Sequence, residues 1–182
     1  MNKKLLFGVG INDDGTKSAS MIYMRWSAML KRCYDQKTQL RKPTYVGCTV
    51  CDDWLYISKF KDWLVQDKEW FLKDIDKDLL VKGNKIYSPD TCVLVSKKIN
   101  QFIVESVSRR GKLPVGVSTV RSGKFLAQCG NPFAKCQDAL GLFETAEEAH
   151  AAWRKRKHEF ACQLADLQSD PRVANALRTR YL

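Results

Sequence analysis

Histidine is scarce: two residues in 182, His150 and His158, both in the last third of the chain. That nearly excludes His-rich catalytic centres and zinc sites built on imidazole. No apolar run approaches the roughly 18 residues needed to cross a bilayer. The segment from Met1 to Gly8 starts basic, but its apolar stretch ends before Asn12-Asp13-Asp14, too early for a signal peptide. Membrane and secretory classes are disfavoured, and a cytoplasmic location is expected. Acidic residues are also few, 20 Asp+Glu against 31 Lys+Arg, a net charge of +11. The seven cysteines are odd in number and carry no export signal, so they read as reduced thiols, buried or metal-bound.

What the chain does contain is enough apolar residue, 45%, to build a core. Its basic excess is distributed. Residues 1–106 hold 18 Lys+Arg and 13 Asp+Glu, and residues 107–182 hold 13 and 7, so the net charges are +5 and +6. This pattern suits two basic modules and an anionic partner, nucleic acid first.

Residues 1–17 are polar and Gly-rich and read as an arm. Ile22, Trp26, Met29, Leu30 and Cys33 recur at helical spacing from Ser20 to Tyr34. A basic loop is expected over 35–47, and Ser58 as the cap of a helix carrying Phe60, Trp63 and Leu64. Residues 75–95 read as two short apolar pieces around a polar loop, followed by a helix from about Ser96. Ser108-Arg109-Arg110-Gly111-Lys112 reads as a basic linker. Beyond it, Val115–Val120 and Phe125–Cys129 form a hairpin about Gly123, and Gly141–Phe143 is a third short strand. Thr145 and Glu148 form a capping box for a long helix whose stripe is Ala149, Ala152, Trp153, Phe160, Leu164 and Leu167. Residues 169–182 are a loose end or a short final helix. The expected organisation is an arm (1–17), a first module (18–106), a linker (107–112), a second module (113–168) and a tail (169–182).

Trp26, Met29-Leu30, Arg32-Cys33-Tyr34, Tyr45, Cys51, Trp54, Phe60, Ile75-Asp76-Lys77-Asp78, Gly83-Asn84 and Tyr87-Ser88-Pro89-Asp90-Thr91-Cys92 form a spaced pattern of about eighty residues. The pattern resembles phage and prophage HNH endonucleases of the homing type. Gly116-Val117, Gly123-Lys124-Phe125, Ala127, Leu140-Gly141, Phe143, Thr145, Glu147-Glu148-Ala149 and Trp153 resemble an AP2-type DNA-binding domain. The resemblances imply an α+β protein: a degenerate His-Me finger (ββα) with flanking helices, then a three-stranded antiparallel sheet packed on one long helix. They also imply double-stranded DNA as the partner and a place in the host cytoplasm.

In an HNH site a His is the general base, while Asp and Asn hold one Mg²⁺ or Mn²⁺ at the scissile phosphate. Here the first pair is Asp76-Lys77 and the His is absent. Losing a general base costs about 10²- to 10⁴-fold in rate. Asp76, Asp78 and Asn84 remain as oxygen ligands, with Lys77 placed to contact the phosphate. Thr91 stands where many relatives have Asn. An active endonuclease and a degenerate DNA-binding scaffold both fit, and a protein that binds host transcription machinery is a third class.

Cys48 and Cys51 have metal-ligand spacing, and Cys33 and Cys92 would complete a structural zinc site; buried thiols explain the same residues. For DNA contact the candidates are Ser118, Arg121, Lys124 and Gln128 on the second-module sheet, with Arg109, Arg110 and Lys112 in the linker.

Overall fold

The computed structural model describes residues 5–104, 113–134 and 136–182. The chain divides into two compact units, Met1–Ser96 and Lys97–Leu182. Both mix helices with small sheets.

In the first unit, helix α1 (Met21–Tyr34) opens on Ser20, whose hydroxyl accepts from the Tyr23 amide at 3.2 Å. It buries Trp26, Met29, Leu30 and Cys33, the stripe expected from helical spacing. These pack with Trp54, Ile57, Phe60 and Leu64, the last three from α3 (Ile57–Leu64). The Trp26 indole satisfies its buried N–H by donating to the Trp54 carbonyl at 2.7 Å.

The N-terminal segment is packed rather than free. Leu6, Phe7 and Val9 lie against this core, Ile11 donates to the Leu55 carbonyl, and the Ile57 amide donates to Ile11. Ser58 does not cap α3; the helix starts one residue earlier, after Tyr56. The Ser58 amide and hydroxyl instead donate to the Asp13 carboxylate at 3.0 and 2.5 Å. Asp13 therefore caps a helix 45 positions away, a partner that local sequence spacing does not reveal.

Residues 35–47 hold structure where a loop was expected. Asp35 accepts from the Thr38 amide and hydroxyl, at 2.9 and 2.6 Å, and starts helix α2 (Gln36–Arg41). Pro43–Tyr45 follows as a 3-10 turn.

Two two-stranded sheets complete the unit. Strand β1 (Thr49–Val50) pairs parallel with β3 (Ile86–Tyr87), and β2 (Lys73–Asp76) pairs antiparallel with β4 (Val93–Ser96).

Helix α4 (Lys97–Ile103) packs with the second unit. The Phe102 carbonyl accepts from Lys157 at 2.7 Å, and the Phe102 ring meets Tyr181 edge-on at 5.9 Å. Strands β5 (Val117–Thr119), β6 (Phe125–Gly130) and β7 (Gln137–Phe143) form an antiparallel sheet in that order. β7 begins four residues before the expected Gly141. Its polar start, Gln137-Asp138, lies before the expected strand; Asp138 is anchored by Arg156 at 2.8 Å and takes part in the ladder.

Helix α5 (Ala146–Asp166) opens on the expected capping box of Thr145 and Glu148. Ala149, Trp153, Phe160 and Leu164 are buried as expected, whereas Leu167 sits at the C-cap and is 68% exposed. Residues 169–182 contain α6 (Pro171–Thr179), capped by Asp170, with Val173, Ala174 and Leu177 buried.

The sheet is seated on α5 by one close approach. Gly116 has φ +78°, and a Cβ there would run into the Trp153 indole. His150 stacks on the same indole at 5.3 Å, and its Nδ1 lies 2.9 Å from the Val115 carbonyl oxygen. Gly116→Ala combines left-handed strain with a steric clash and should destabilise the protein by about 2 to 5 kcal/mol. Urea denaturation followed by tryptophan fluorescence checks this; an unchanged midpoint would refute the packing.

Candidate nucleic-acid interface

The second-unit sheet presents two different faces. On β6, Ala127 and Cys129 are fully buried on the side that α5 covers. Strand alternation turns Leu126 and Gln128 to the opposite side. Cross-strand register puts Ser118 beside Leu126 and Leu126 beside Leu142, so this outer face mixes short polar and apolar side chains. Ser118 and Gln128 line one groove together with Gln137, Thr119 and Gly116. Gln137 was not singled out in the sequence, because it lies before the strand expected over Gly141–Phe143.

Arg121 and Lys124 sit in the β5–β6 hairpin, closed by bonds between Val120 and Lys124 and from Gly123 to Val120. Both are exposed. Lys124 pairs with Glu144 at side-chain exposures of 45% and 74%, a pair of little stabilising weight that a phosphate could displace. Arg109, Arg110 and Lys112 lie outside the described residues. The structure thus brings Ser118 and Gln128 onto one face, with Arg121 and Lys124 at its hairpin end.

In the first unit, Asp76, Lys77, Asp78 and Asn84 form one hydrogen-bonded cluster. Lys77 is only 6% exposed. Its ammonium donates to both carboxylate oxygens of Asp78, at 2.7 and 2.8 Å, and to the Asn84 carbonyl at 2.6 Å. The Asn84 amide donates to the Lys77 and Ile86 carbonyls, and its side-chain oxygen accepts from the Ile86 amide. Asp76 Oδ1 accepts from the Asp78 and Leu79 amides. Thr91 donates to the Ile86 carbonyl at 2.7 Å and lies 2.9 Å from the Ser88 hydroxyl. Each group has a structural task in the turn after β2.

Cys33, Cys48 and Cys92 are buried members of the first-unit core, and Cys51 is partly buried against it. All four thiols are free. Among the described residues, no three His, Cys, Asp or Glu side chains gather as a metal-binding group. Burial pushes the Cys33 thiol up from 9.0 to about 12, reinforced by Cys48 and opposed by Arg32 and Lys77. Burial likewise raises Cys92 to about 12, against a hydrogen bond involving the Ser88 backbone.

A 53-residue stretch of the chain is 45% identical to part of the ethylene-responsive transcription factor ERF116 of Arabidopsis thaliana. The stretch is 29% of this chain and only 18% of that relative's length. No family model matches the chain, and no solved structure matches it. The match supports an AP2-like domain in this chain.

The observed three-stranded antiparallel sheet on a long helix is compatible with that domain. No helix among the described residues is long and apolar enough to cross a membrane.

Two predictions follow from the first-unit geometry. Lys77→Met leaves the Asp78 carboxylate and the Asn84 carbonyl without their shared donor, and should destabilise the protein by about 1 to 3 kcal/mol in urea denaturation. An unchanged midpoint would deny Lys77 its structural task. The second concerns alkaline pH. A thiol whose folded pKa is raised adds stability that is fully present below the unfolded value of 9.0 and is lost as pH rises toward the folded value of about 12. Stability of the wild type should therefore fall more steeply between pH 9 and 10.5 than that of Cys92→Ala. The difference is at most about 1.4 kcal/mol per pH unit for one thiol. Parallel pH profiles for the two proteins would refute the assignment.

Proposed function

We propose that this chain is a DNA-binding protein that engages double-stranded DNA through the outer face of the β5–β6–β7 sheet. The observation that carries the reading is that face itself, with Ser118 and Gln128 in one groove and Arg121 and Lys124 at the hairpin end. The net charge of +11 and the partial likeness to a plant transcription factor support it. In this reading Arg121 reads guanine through two hydrogen bonds, Gln128 reads adenine, and Ser118 and Lys124 hold phosphates. The linker residues Arg109, Arg110 and Lys112 follow the backbone.

A second reading is metal-dependent phosphodiester cleavage of the HNH homing type. One observation favours it: β2 ends at Asp76 and pairs antiparallel with β4, a two-stranded sheet that carries the polar cluster at its end, while β3 intervenes in the chain and α4 belongs to the second unit. Asp76 with Mg²⁺ or Mn²⁺ would then act at the scissile phosphate, with Asp78 and Asn84 as helpers. The hydrogen bonds already made by Lys77, Asp78 and Asn84 favour the scaffold role, in which the first unit binds without cutting.

The experiment is a plasmid assay run with a duplex-binding titration. Retarded mobility without nicking, in Mg²⁺ or Mn²⁺, is the expected outcome. Relaxed circles that need metal and vanish in Asp76→Ala would establish cleavage instead. Binding should weaken linearly on a log–log salt plot, with a slope near −0.9 per phosphate contact. Arg121→Ala should cost about 1 to 3 kcal/mol on a preferred site and less on unrelated DNA. A flat salt response would overturn DNA binding and leave a host protein as the partner.

A further inference from the structure

Helix α2 buries none of its residues, which is unusual for an element that holds its place. Polar devices keep it there. Asp35 ends α1 and caps α2 through Thr38. The Gln39 amide reaches back to the Cys33 carbonyl at the end of α1, at 2.6 Å. The turn brings the last residues of both helices to one cleft of about 350 Å³, lined by Ala28, Lys31, Arg32, Thr38, Arg41 and Lys42.

Four basic residues thus line one concave surface. Among the described residues, none of the four forms an ion pair with a carboxylate within 4 Å. The nearest acidic group on these helices, Asp35, is held by Thr38 first, and Lys31 and Arg41 act on it only through space. A helix dipole favours a cation at each C-terminus. It gives no reason for two such ends to share a cleft, where like charges repel.

Arg32 forms the floor. Its guanidinium lies 5.8 Å from the Tyr45 ring and interacts with the Tyr87 side chain, so it is engaged with the unit's own aromatic residues. Lys31, Arg41 and Lys42 form an exposed rim around it, and Thr38 adds a hydroxyl. Three exposed cations with a hydroxyl beside them suit a cluster of phosphate oxygens. An open rim of this kind suits a continuous sugar–phosphate strand.

We propose that the α1–α2 cleft is a second DNA contact, binding backbone phosphates of double-stranded DNA without reading sequence. The proposal rests on the DNA-binding reading above and extends it to the first unit. It makes the chain a bipartite binder, with sequence contacts on the sheet of one unit and phosphate contacts on the cleft of the other.

The test uses the full chain and the triple variant Lys31→Ala/Arg41→Ala/Lys42→Ala, with Lys31→Gln/Lys42→Gln as a milder second variant. Arg32 is left in place because of its buried contacts. Circular dichroism melting verifies that each variant is folded. Duplex binding is measured by anisotropy across a salt series, with Arg121→Ala/Lys124→Ala in parallel. The triple variant should lower the salt slope by about 2 to 3, at about 0.9 per lost contact, equally on preferred and unrelated duplexes. The milder variant should lower it by about 1 to 2. If the wild type binds duplex and the cleft variants keep its slope, the cleft proposal fails while the DNA-binding reading stands. If the wild type does not bind DNA, both fail. Saturable binding of inorganic phosphate that the variant loses, with duplex binding unchanged, would reassign the cleft to a small anion and overturn the proposal; an effect on an RNA duplex alone would overturn it too.

Discussion

The first unit depends on where one ammonium group sits. Lys77 places its charge inside the turn after β2, shared between the Asp78 carboxylate and the Asn84 carbonyl. A buried ammonium tolerates that position only because it is paired and hydrogen-bonded. Asn84 answers by donating to Lys77 and Ile86, which fixes the entry to β3. The parallel pairing of β3 with β1 then carries the constraint to Val50 and Tyr87 in the core. A cation brought to Asp78 would have to displace this ammonium or share its carboxylate. Lys77 itself thus supplies a positive charge that the surrounding oxygens already hold.

The second unit is organised by a steric constraint instead. Gly116 approaches the Trp153 indole too closely for a Cβ, and His150 stacks on the same indole. The two interactions tie the start of β5 to the first turns of α5. Arg156 then holds Asp138 at the start of β7, so the sheet is pinned to the helix at both edges. With Ala127 and Cys129 buried against the helix, strand alternation turns Ser118 and Gln128 to the opposite face of the sheet.

Patterned elements were legible in the sequence. The buried stripe of α1, the capping box and stripe of α5, and the hairpin about Gly123 all depend on periodicity or on residues three or four apart. What was hidden depended on partners distant in sequence. Nothing near Ser58 indicates that Asp13 will cap α3, so residues 1–17 read as an arm. Gln137 and Asp138 lie before the expected third strand, and it is Arg156 that anchors Asp138 in the ladder. Helix α2 was missed because its apolar content is negligible and its start signal, Asp35, sat inside a run that read as basic loop. Lys31 and Arg32 belonged to the helix expected over Ser20–Tyr34, and Arg41 and Lys42 to the basic loop expected over 35–47; only the reversal between α1 and α2 brings them to one cleft. At the candidate finger the sequence showed the residue types, and the structure added that their polar atoms are engaged with one another.

A single regularity connects these findings to the charge of the chain. The carboxylates are largely committed to holding the fold. Asp13, Asp35 and Asp170 cap helices, Asp14 pairs with Lys61, Asp78 with Lys77, Asp138 with Arg156, and Asp166 with Arg178. Each such bond withdraws an acidic group from the solvent-facing field, and two of the caps, Asp13 and Asp35, take no cation in exchange. The excess of basic residues is expressed at the α1–α2 cleft of one unit, whose cations form no ion pair among the described residues, and at the hairpin of the other, where Arg121 is exposed and Lys124 is held by the exposed Glu144. A uniform scatter of +11 would give weak, non-specific attraction to any anion. Local grouping, on the cleft of one unit and on the helix-backed sheet of the other, offers the directed positions that the proposed phosphate and base contacts require, and so links the structural use of the acids to the proposed use of the bases.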